Sequence, residues 1–206
     1  MAAHGRRRLR DLFDESPTPH IAHPPRTHRR DFYVATDGSF AADGSGLGVI
    51  IETRSGDRVA RVSLPDDAPD NNVAEYRALH LGLDVLAART PADARVGVLL
   101  DHNQLAANVN STVLADRQTD YKPLKPLNIP AATGHHWRGI RARLAGFSEV
   151  RAARIDSDHN PAHPLANSPA RYAHVNEERP SCPLPEPQSD EPQIPPPSRA
   201  DRGISD

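Results

Sequence analysis

The order in which strand and helix patterns follow one another constrains this chain more than any other feature. Strand patterns come first, over Asp31–Thr36, Gly46–Arg54 and Arg58–Leu64, before any long helix pattern. The turn-forming residues Ser55-Gly56-Asp57 separate the second and third strand patterns, and short turns of this kind join hairpins. We therefore expect the sheet to begin with antiparallel strands.

Helix and strand patterns alternate in the rest of the domain. Apolar residues recur at spacings of three and four after the N-cap candidates Asp70, Asn71 and Asn72, which predicts a helix ending near Arg89. The run Val96–Leu100 is apolar throughout, as expected for a strand covered on both faces. The further predicted elements are a helix from Asn103 to about Leu114, a loop over Asp116–Ala132, a helix over His135–Leu144, a strand over Val150–Ile155 and a broken helix over Asn160–Tyr172. This order predicts an α/β fold with a five-stranded mixed sheet, antiparallel in strands 1–3 and continued by strands 4 and 5, flanked by helices.

Composition sets two flanking segments apart from this domain, which we place at residues 31–175. Residues 1–30 carry seven arginines against three acidic residues, and four prolines lie between residues 16 and 25. We expect a basic, disordered arm, either a solvated tail or a nucleic-acid contact, with room for a short helix at Leu9–Phe13. Residues 176–206 hold eight prolines, which predicts a disordered tail or a polyproline II ligand.

Charge and cysteine content exclude several classes of protein. The 25 basic and 27 acidic residues give a net charge of −2, which excludes a uniformly basic nucleic-acid coat. The single cysteine, Cys182, excludes an internal disulfide framework and a multi-cysteine zinc site. No apolar run reaches the roughly 18 residues of a membrane span, and no apolar stretch follows the basic start. We expect a cytoplasmic monomer that has no membrane partner and no small-molecule cofactor.

Three acidic residues stand where this layout brings side chains together. Asp37 follows the first strand, Asp101 follows the fourth, and Glu75 lies in the first turn of the helix between them. Each alone has a structural explanation, as a turn former, a helix N-cap and an acid favoured by the helix dipole, respectively. Strands 1 and 4 are expected to be neighbours, however, and clustered carboxylates need a cation to offset their repulsion. Oxygen ligands of this kind suit Mg²⁺ or Mn²⁺, and a pair of such ions supports phosphodiester hydrolysis.

The motifs around these acids resemble those of type 1 ribonuclease H. The matching segments are Thr36-Asp37-Gly38-Ser39, Gly46-Leu47-Gly48-Val49-Ile50, Asn71-Asn72-Val73-Ala74-Glu75-Tyr76-Arg77-Ala78-Leu79, and Leu100-Asp101 with Gln104-Leu105 and Asn108. The resemblance covers about residues 31–170. It implies an RNase H-like fold and a metal-dependent endoribonuclease that cleaves the RNA strand of RNA–DNA hybrids. It also implies two divalent ions, and products that carry a 5′-phosphate and a 3′-hydroxyl.

The resemblance assigns roles to individual residues. Three catalytic and metal-binding acids are implied, namely Asp37, Glu75 and Asp101. The residues implied to approach the RNA strand are Gly38, Ser39 and Asn72. Where this family has a Ser after the third acid, this chain has His102-Asn103.

The fourth metal-binding position departs from the family pattern. The family's last helix carries Asp-x-Leu-Ala, and aligning Leu165-Ala166 with it places His163 where the aspartate belongs. A neutral imidazole binds divalent ions but supplies no negative charge, and it favours Mn²⁺ and later metals over Mg²⁺. Three outcomes remain open: His163 acts as a catalytic metal ligand, Asp156 or Asp158 substitutes for it, or the site binds without cutting.

Further residues have possible functional roles, each beside a structural alternative. His159 lies close to this helix, where the family has a mobile histidine that assists proton transfer or product release. Trp137 is either a core anchor or a residue beside the substrate groove. A phosphate-facing surface and a solvated helix face are equally compatible with five arginines: Arg138, Arg141, Arg143, Arg151 and Arg154.

Three functions are compared on this basis. The first is the metal-dependent ribonuclease with an RNA–DNA hybrid as partner, which the set Asp37, Glu75 and Asp101 favours. The second is a catalytically weak or inactive nucleic-acid-binding module on the same fold, which His163 favours. The third is a protein-interaction domain, which rests on the proline-rich tail alone.

Overall fold

In the computed structural model, a five-stranded sheet with the strand order β3-β2-β1-β4-β5 organises the chain. The structure describes residues 7–19, 29–40, 45–118, 120–121 and 126–182. The strands are β1 Phe32–Ser39, β2 Ser45–Thr53, β3 Arg58–Asp66, β4 Arg95–Leu100 and β5 Glu149–Arg154. β1, β2 and β3 pair antiparallel, whereas β1–β4 and β4–β5 pair parallel. The prediction of a mixed sheet with neighbouring strands 1 and 4 is confirmed.

Helices cover both faces of this sheet. They are α1 Leu9–Glu15, α2 Asn71–Ala87, α3 Asn103–Arg117, α4 Gly134–Ala145, α5 His163–Asn167 and α6 Pro169–Tyr172. Side chains of β1 alternate between two cores: Phe32 and Val34 pack with α2, α3 and α4, whereas Tyr33 and Ala35 pack with α1 and α5. The predicted broken final helix is interrupted at Ser168, between α5 and α6.

The strand boundaries differ from the prediction at the end that carries Asp37. β1 continues to Ser39, so Asp37 lies inside the strand opposite Gly48 of β2 rather than after it. Turn chemistry in Asp37-Gly38-Ser39 had indicated an earlier end of the strand. Pairing with β2 satisfies the backbone groups of these residues, and tertiary pairing overrides local turn preference.

The first of the two flanking segments is partly folded. Leu9, Leu12 and Phe13 of α1 are buried against the sheet. The carboxylate of Glu52 accepts a hydrogen bond from the Leu9 N–H at 2.9 Å, which satisfies one free donor at the helix start. This corrects the expectation of a disordered arm for residues 9–15, because burial of their apolar side chains offsets the cost of ordering them. The remainder of the predicted arm at residues 20–28 lies outside the described residues.

The second flanking segment also begins inside the folded domain. Asn176 pairs with the backbone of Ser63, accepting at 2.8 Å and donating at 2.9 Å. Glu178 accepts from Arg58 and Arg61, and the Ser181 N–H donates to the Arg58 carbonyl. These contacts cover the open edge of β3, which corrects the predicted domain end at residue 175. Residues 183–206 lie outside the described part of the chain.

The helices of the described residues are too short or too polar for a membrane span.

Candidate metal centre

Parallel pairing of β1 and β4 places two carboxylates side by side. Ala35 of β1 pairs with Leu99 of β4, so Asp37 and Asp101 lie at equal distances beyond this pair, at the same end of the sheet. His163, the first residue of α5, reaches the same point. One ligand atom from each of these residues lies within 4.8 Å of the others, and no other such group of three occurs among the described residues.

Glu75 approaches this group from behind, on α2. A Cβ on Gly38 would lie 2.2 Å from the carbonyl carbon of Ala74, so only glycine lets α2 come this close to β1. The close contact buries Glu75, which is 2% exposed. Of the three N-cap candidates Asp70, Asn71 and Asn72, Asp70 caps α2 by accepting from the Val73 N–H at 2.9 Å.

The electrostatics of the cluster favour added positive charge. Burial, then the carboxylate of Asp101, raise the pKa of Asp37 from its usual 3.8 to about 7, against the opposing effect of His163. Burial and the carboxylates of Asp101 and Asp37 also raise the pKa of Glu75 well above its usual value. Buried oxygens of Glu75 (Oε2) and Asp101 (Oδ1) have no hydrogen-bond partner among the described residues. Unpartnered carboxylate oxygens that repel one another fit a hard divalent cation.

His163 meets Asp37 directly. Its Nδ1 lies 3.2 Å from Asp37 Oδ2, and 37% of its side chain is exposed, against 2% for Asp37. Its Nε2 lies 2.7 Å from the side-chain Nδ2 of Asn167. Of the residues considered for the fourth position, His163 is therefore the one that the structure brings to the cluster.

The helix that carries His163 is held against β2 at two glycines. A Cβ on Gly46 or on Gly48 would lie 2.3 Å from a carbonyl oxygen of this segment, that of Ala166 or of Ala162. The Ser39 hydroxyl donates to the Ala166 carbonyl at 2.8 Å. Gly38 and Ser39 are thus buried in the protein interior, and their contact with a nucleic acid stays a prediction.

The alternatives to His163 lie outside the cluster. Asp156 pairs with Arg154 at 3.0 Å and is 65% exposed. Asp158 and His159 are exposed in the 3₁₀ turn Ser157–His159. None of these side chains belongs to the group of ligand atoms described above.

Two residues without an assigned role in the sequence analysis have structural roles beside the acids. The Ser157 hydroxyl donates to Asp101 Oδ2 at 2.8 Å. His102 caps α3, because its Nδ1 accepts from the Leu105 N–H at 3.0 Å. The N-cap role considered for Asp101 therefore belongs to its neighbour. A polar residue directly before a predicted helix is the one local signal of this role.

His102 also orients a predicted nucleic-acid contact. Its Nδ1 accepts a hydrogen bond, so Nε2 carries the proton and donates to Asn72 Oδ1 at 2.9 Å. Burial lowers the pKa of His102, which keeps the ring neutral. The exposed Asn72 thus accepts through its carbonyl, and its NH₂ group, which has no partner among the described residues, can donate to a ligand.

A cleft with mixed polar and apolar lining runs along α3, the helix that begins two residues after Asp101. It encloses about 600 Å³ between the first turns of α3 and residues 126–128, with Pro19 at its rim. Asn103 and Gln104 line it directly after Asp101-His102. The side chains that line it are uncharged, so its polar contacts come from amides and a hydroxyl.

The remaining predictions for single residues have mixed outcomes. Trp137 is a core residue, 6% exposed and edge-on to Tyr76. Of the five arginines of the suggested basic surface, the three that pair with acidic side chains are Arg143, Arg151 and Arg154. Arg138 and Arg141 are exposed on α4. Arg138 and Arg141 are therefore the two members of the suggested basic surface that form no ion pair among the described residues.

Comparison with known proteins gives a clear result only at the level of structure. No protein-family model matches the sequence, and no curated protein matches it. Among solved structures, LC11-RNase H1, isolated from compost by a metagenomic approach, is similar with a TM-score of 0.55 and 20% identity. That match covers 71% of this chain and 99% of the other.

Further similar structures have the same fold. The LC11 enzyme in complex with RNA/DNA hybrid gives a TM-score of 0.51 at 22% identity over 69% of this chain and 99% of the other. RNase H1 from the halophilic archaeon Halobacterium salinarum gives 0.51 at 17% identity, covering 68% of this chain and 98% of the other. The chain has the RNase H fold.

Proposed function

We propose that this chain is a metal-dependent endoribonuclease that cleaves the RNA strand of RNA–DNA hybrids. The observation that carries the proposal is the group formed by Asp37, Asp101 and His163, with Glu75 buried behind it. A fold alone does not determine a function, so the argument rests on this site. Its place on the sheet is compatible with the activity named in the similar structures.

The donor set fits divalent ions. Asp37, Glu75, Asp101 and His163 would hold two of them, Mg²⁺ or Mn²⁺, and the mutual repulsion of three carboxylates would be offset by their charge. Such ions, when bound, lower the pKa of water and neutralise charge that develops on a phosphodiester.

Side chains around the site would orient the metal ligands and contact the nucleic acid. Glu75 and Asp101 each supply one buried carboxylate oxygen that has no hydrogen-bond partner among the described residues, and Ser157 fixes the orientation of Asp101 through its hydroxyl. Asn72, held by His102, presents an amide donor beside them. The neutral cleft along α3 fits a strand read through its sugar hydroxyls rather than held by charge alone.

A second function is favoured by one specific observation. The fourth position carries an imidazole that is 37% exposed and supplies no fixed negative charge. A site with this deficit can retain hybrid binding while cleaving slowly or not at all. The alternative is therefore an RNase H-like module that binds nucleic acid without efficient catalysis.

Cleavage of labelled substrates separates the two functions. Wild type is compared with Asp37→Asn and with the matched control Asp93→Asn, an exposed acid outside the site. The substrates are an RNA–DNA hybrid, single-stranded RNA, double-stranded RNA and double-stranded DNA, each in Mg²⁺ and in Mn²⁺. We expect cleavage of the hybrid that Asp37→Asn abolishes and Asp93→Asn preserves. Hybrid binding without cleavage in either ion would establish the alternative, and unchanged cleavage by Asp37→Asn would contradict the assignment of the site.

A further inference from the structure

Both ring nitrogens of His163 have a polar neighbour. Nδ1 faces Asp37 Oδ2 at 3.2 Å, and Nε2 faces the amide of Asn167 at 2.7 Å. His163 and Asn167 are separated by one helical turn of α5, where side chains four residues apart are neighbours. The imidazole is therefore held between a candidate metal-binding carboxylate and a neutral amide.

The amide determines where the ring proton sits. With its N–H donating to Nε2, Asn167 leaves the proton on Nδ1, where it donates to Asp37. A half-turn of the amide places Oδ1 at the same point with nearly the same shape. Oδ1 then accepts from Nε2–H, and the lone pair of Nδ1 faces the carboxylates. Only this second arrangement makes His163 a metal ligand, because a ligand nitrogen must present its lone pair.

We propose that Asn167 is a positioning residue that makes His163 a metal ligand by accepting the Nε2 proton, and that it thereby sets the preference of the site for Mn²⁺ over Mg²⁺. This inference rests on the proposed function, because it concerns the same metal centre. Metal-binding histidines donate their second ring N–H to a partner, and loss of that partner lowers metal affinity about 10–100-fold.

The surroundings make an effect through helix displacement small. Gly46 and Gly48 seat α5 on β2, and the carbonyls of Leu165 and Ala166 accept from Ser63 and Ser39 at 2.7 and 2.8 Å. None of these contacts involves the Asn167 side chain. Removal of that side chain therefore leaves α5 in place and changes the state of the ring.

The test measures metal affinity by calorimetry, without substrate. Mn²⁺ and Mg²⁺ are titrated into wild type, Asn167→Ala, the near-isosteric Asn167→Leu and the neighbouring control Ser168→Ala. We expect both Asn167 variants to weaken Mn²⁺ binding about 10-fold or more and Mg²⁺ binding much less, because Mg²⁺ prefers oxygen ligands. Ser168→Ala, whose hydroxyl makes no side-chain hydrogen bond among the described residues, should match wild type. An unchanged Mn²⁺ affinity in both Asn167 variants would overturn the proposal.

A second background separates positioning from a structural role. In His163→Asp the ring is absent, so adding Asn167→Ala should leave Mn²⁺ affinity unchanged. An equal loss in this background would show that Asn167 acts without His163 and would overturn the proposal. Failure of wild type to cleave any hybrid, with this metal pattern intact, would reject the proposed function and leave the inference standing. Cleavage by wild type with no effect of Asn167 would reject the inference alone.

Discussion

Helices α2 and α5 bring side chains to the candidate metal centre from opposite faces of the sheet, and both pack on glycines. Gly38 lets α2 approach β1, and Gly46 with Gly48 lets α5 approach β2. The side chains delivered in this way differ. Glu75 on α2 is a carboxylate with 2% exposure, whereas His163 on α5 is an imidazole with 37% exposure.

The difference shows that the same packing solution can carry different chemistry. The α2 side supplies a buried carboxylate, and burial and the neighbouring carboxylates raise its pKa. The α5 side supplies a ligand open to solvent, without fixed charge and with a proton that Asn167 positions. We infer that the strength of metal binding is set mainly by the α2 side and the choice of metal by the α5 side.

The largest expected effect comes from disrupting the close packing of α2 on β1 at Gly38. In Gly38→Ala the added Cβ would meet the Ala74 backbone at 2.2 Å, and backbone atoms cannot move aside as a flexible side chain can. We expect a loss of about 3 kcal/mol in unfolding free energy, measured by urea denaturation, with loss of activity. The matched control is Gly134→Ala in α4, where a Cβ would meet no atom of the described residues within 4 Å. A Gly38→Ala chain as stable as this control would contradict the close seating of α2.

The second prediction concerns the repulsion inside the cluster. Asp37 has a folded pKa of about 7 against its usual 3.8, so the folded chain holds a proton that the unfolded chain has lost across this interval. The unfolding free energy of the metal-free chain therefore rises as the pH falls from about 8 to about 5. Asp37→Asn removes this contribution, because its side chain is uncharged at every pH. We expect Asp37→Asn to be more stable than wild type by about 2 kcal/mol at pH 8 without metal.

The pH comparison between the two proteins reports Asp37 together with its contribution to the raised pKa of Glu75. Burial lowers the pKa of His136 to about 4, which destabilises the fold as the pH falls and acts equally in both chains. Thermal unfolding of wild type and Asp37→Asn in a chelator should therefore converge towards pH 5. Added Mg²⁺ should stabilise wild type at pH 8 and leave Asp37→Asn nearly unaffected. Parallel pH profiles for the two chains would show that the pKa of Asp37 is not raised in the folded protein.

Much of this fold could be predicted from periodicity, and a short helix at Leu9–Phe13 was among the expectations, but the burial of α1 against the sheet could not be predicted. The turn Ser55-Gly56-Asp57 and the apolar run of β4 indicated the antiparallel start and the buried parallel strand. α1 has seven residues, too few for a stable helix in isolation, and arginines surround its apolar side chains. A Cβ on Gly97 of β4 would lie 2.8 Å from the Tyr33 ring and 3.1 Å from the Phe13 ring, so α1 packs closely on the sheet here, in a contact that local sequence does not record.

The candidate site also has a part that could be predicted from the sequence and a part that could not. Asp37 and Asp101 could be paired from the expected strand order alone, because neighbouring parallel strands end at one edge of the sheet. The contacts of Ser157 with Asp101, of His102 with Asn72 and of Asn167 with His163 could not. They depend on how loops and a short helix cross the end of the sheet, which side-chain periodicity does not encode.

A third prediction sharpens the contrast in metal choice. His163→Asp gives the α5 side a fixed negative charge and an oxygen ligand, which Mg²⁺ prefers. We expect Mg²⁺ affinity to rise about 10-fold, equivalent to about 1.4 kcal/mol, with a smaller change for Mn²⁺. Calorimetric titration with both ions measures this, and His174→Ala, which removes an exposed histidine, serves as the control. Equal gains for both ions would show that charge, rather than the imidazole, sets the preference.

The smallest expected effect tests how α5 is held. Ser39→Ala removes the hydroxyl that donates to the Ala166 carbonyl at 2.8 Å and leaves that acceptor without this partner. A lost hydrogen bond of this kind costs about 1 kcal/mol, so urea denaturation should show a modest loss of stability. If the hydroxyl only seats the helix, Mn²⁺ affinity should fall less than in Asn167→Ala, because the amide of Asn167 still accepts the His163 proton. The two variants together separate the placement of α5 from the state of its imidazole. A loss of Mn²⁺ affinity in Ser39→Ala as large as in Asn167→Ala would show that seating of the helix dominates.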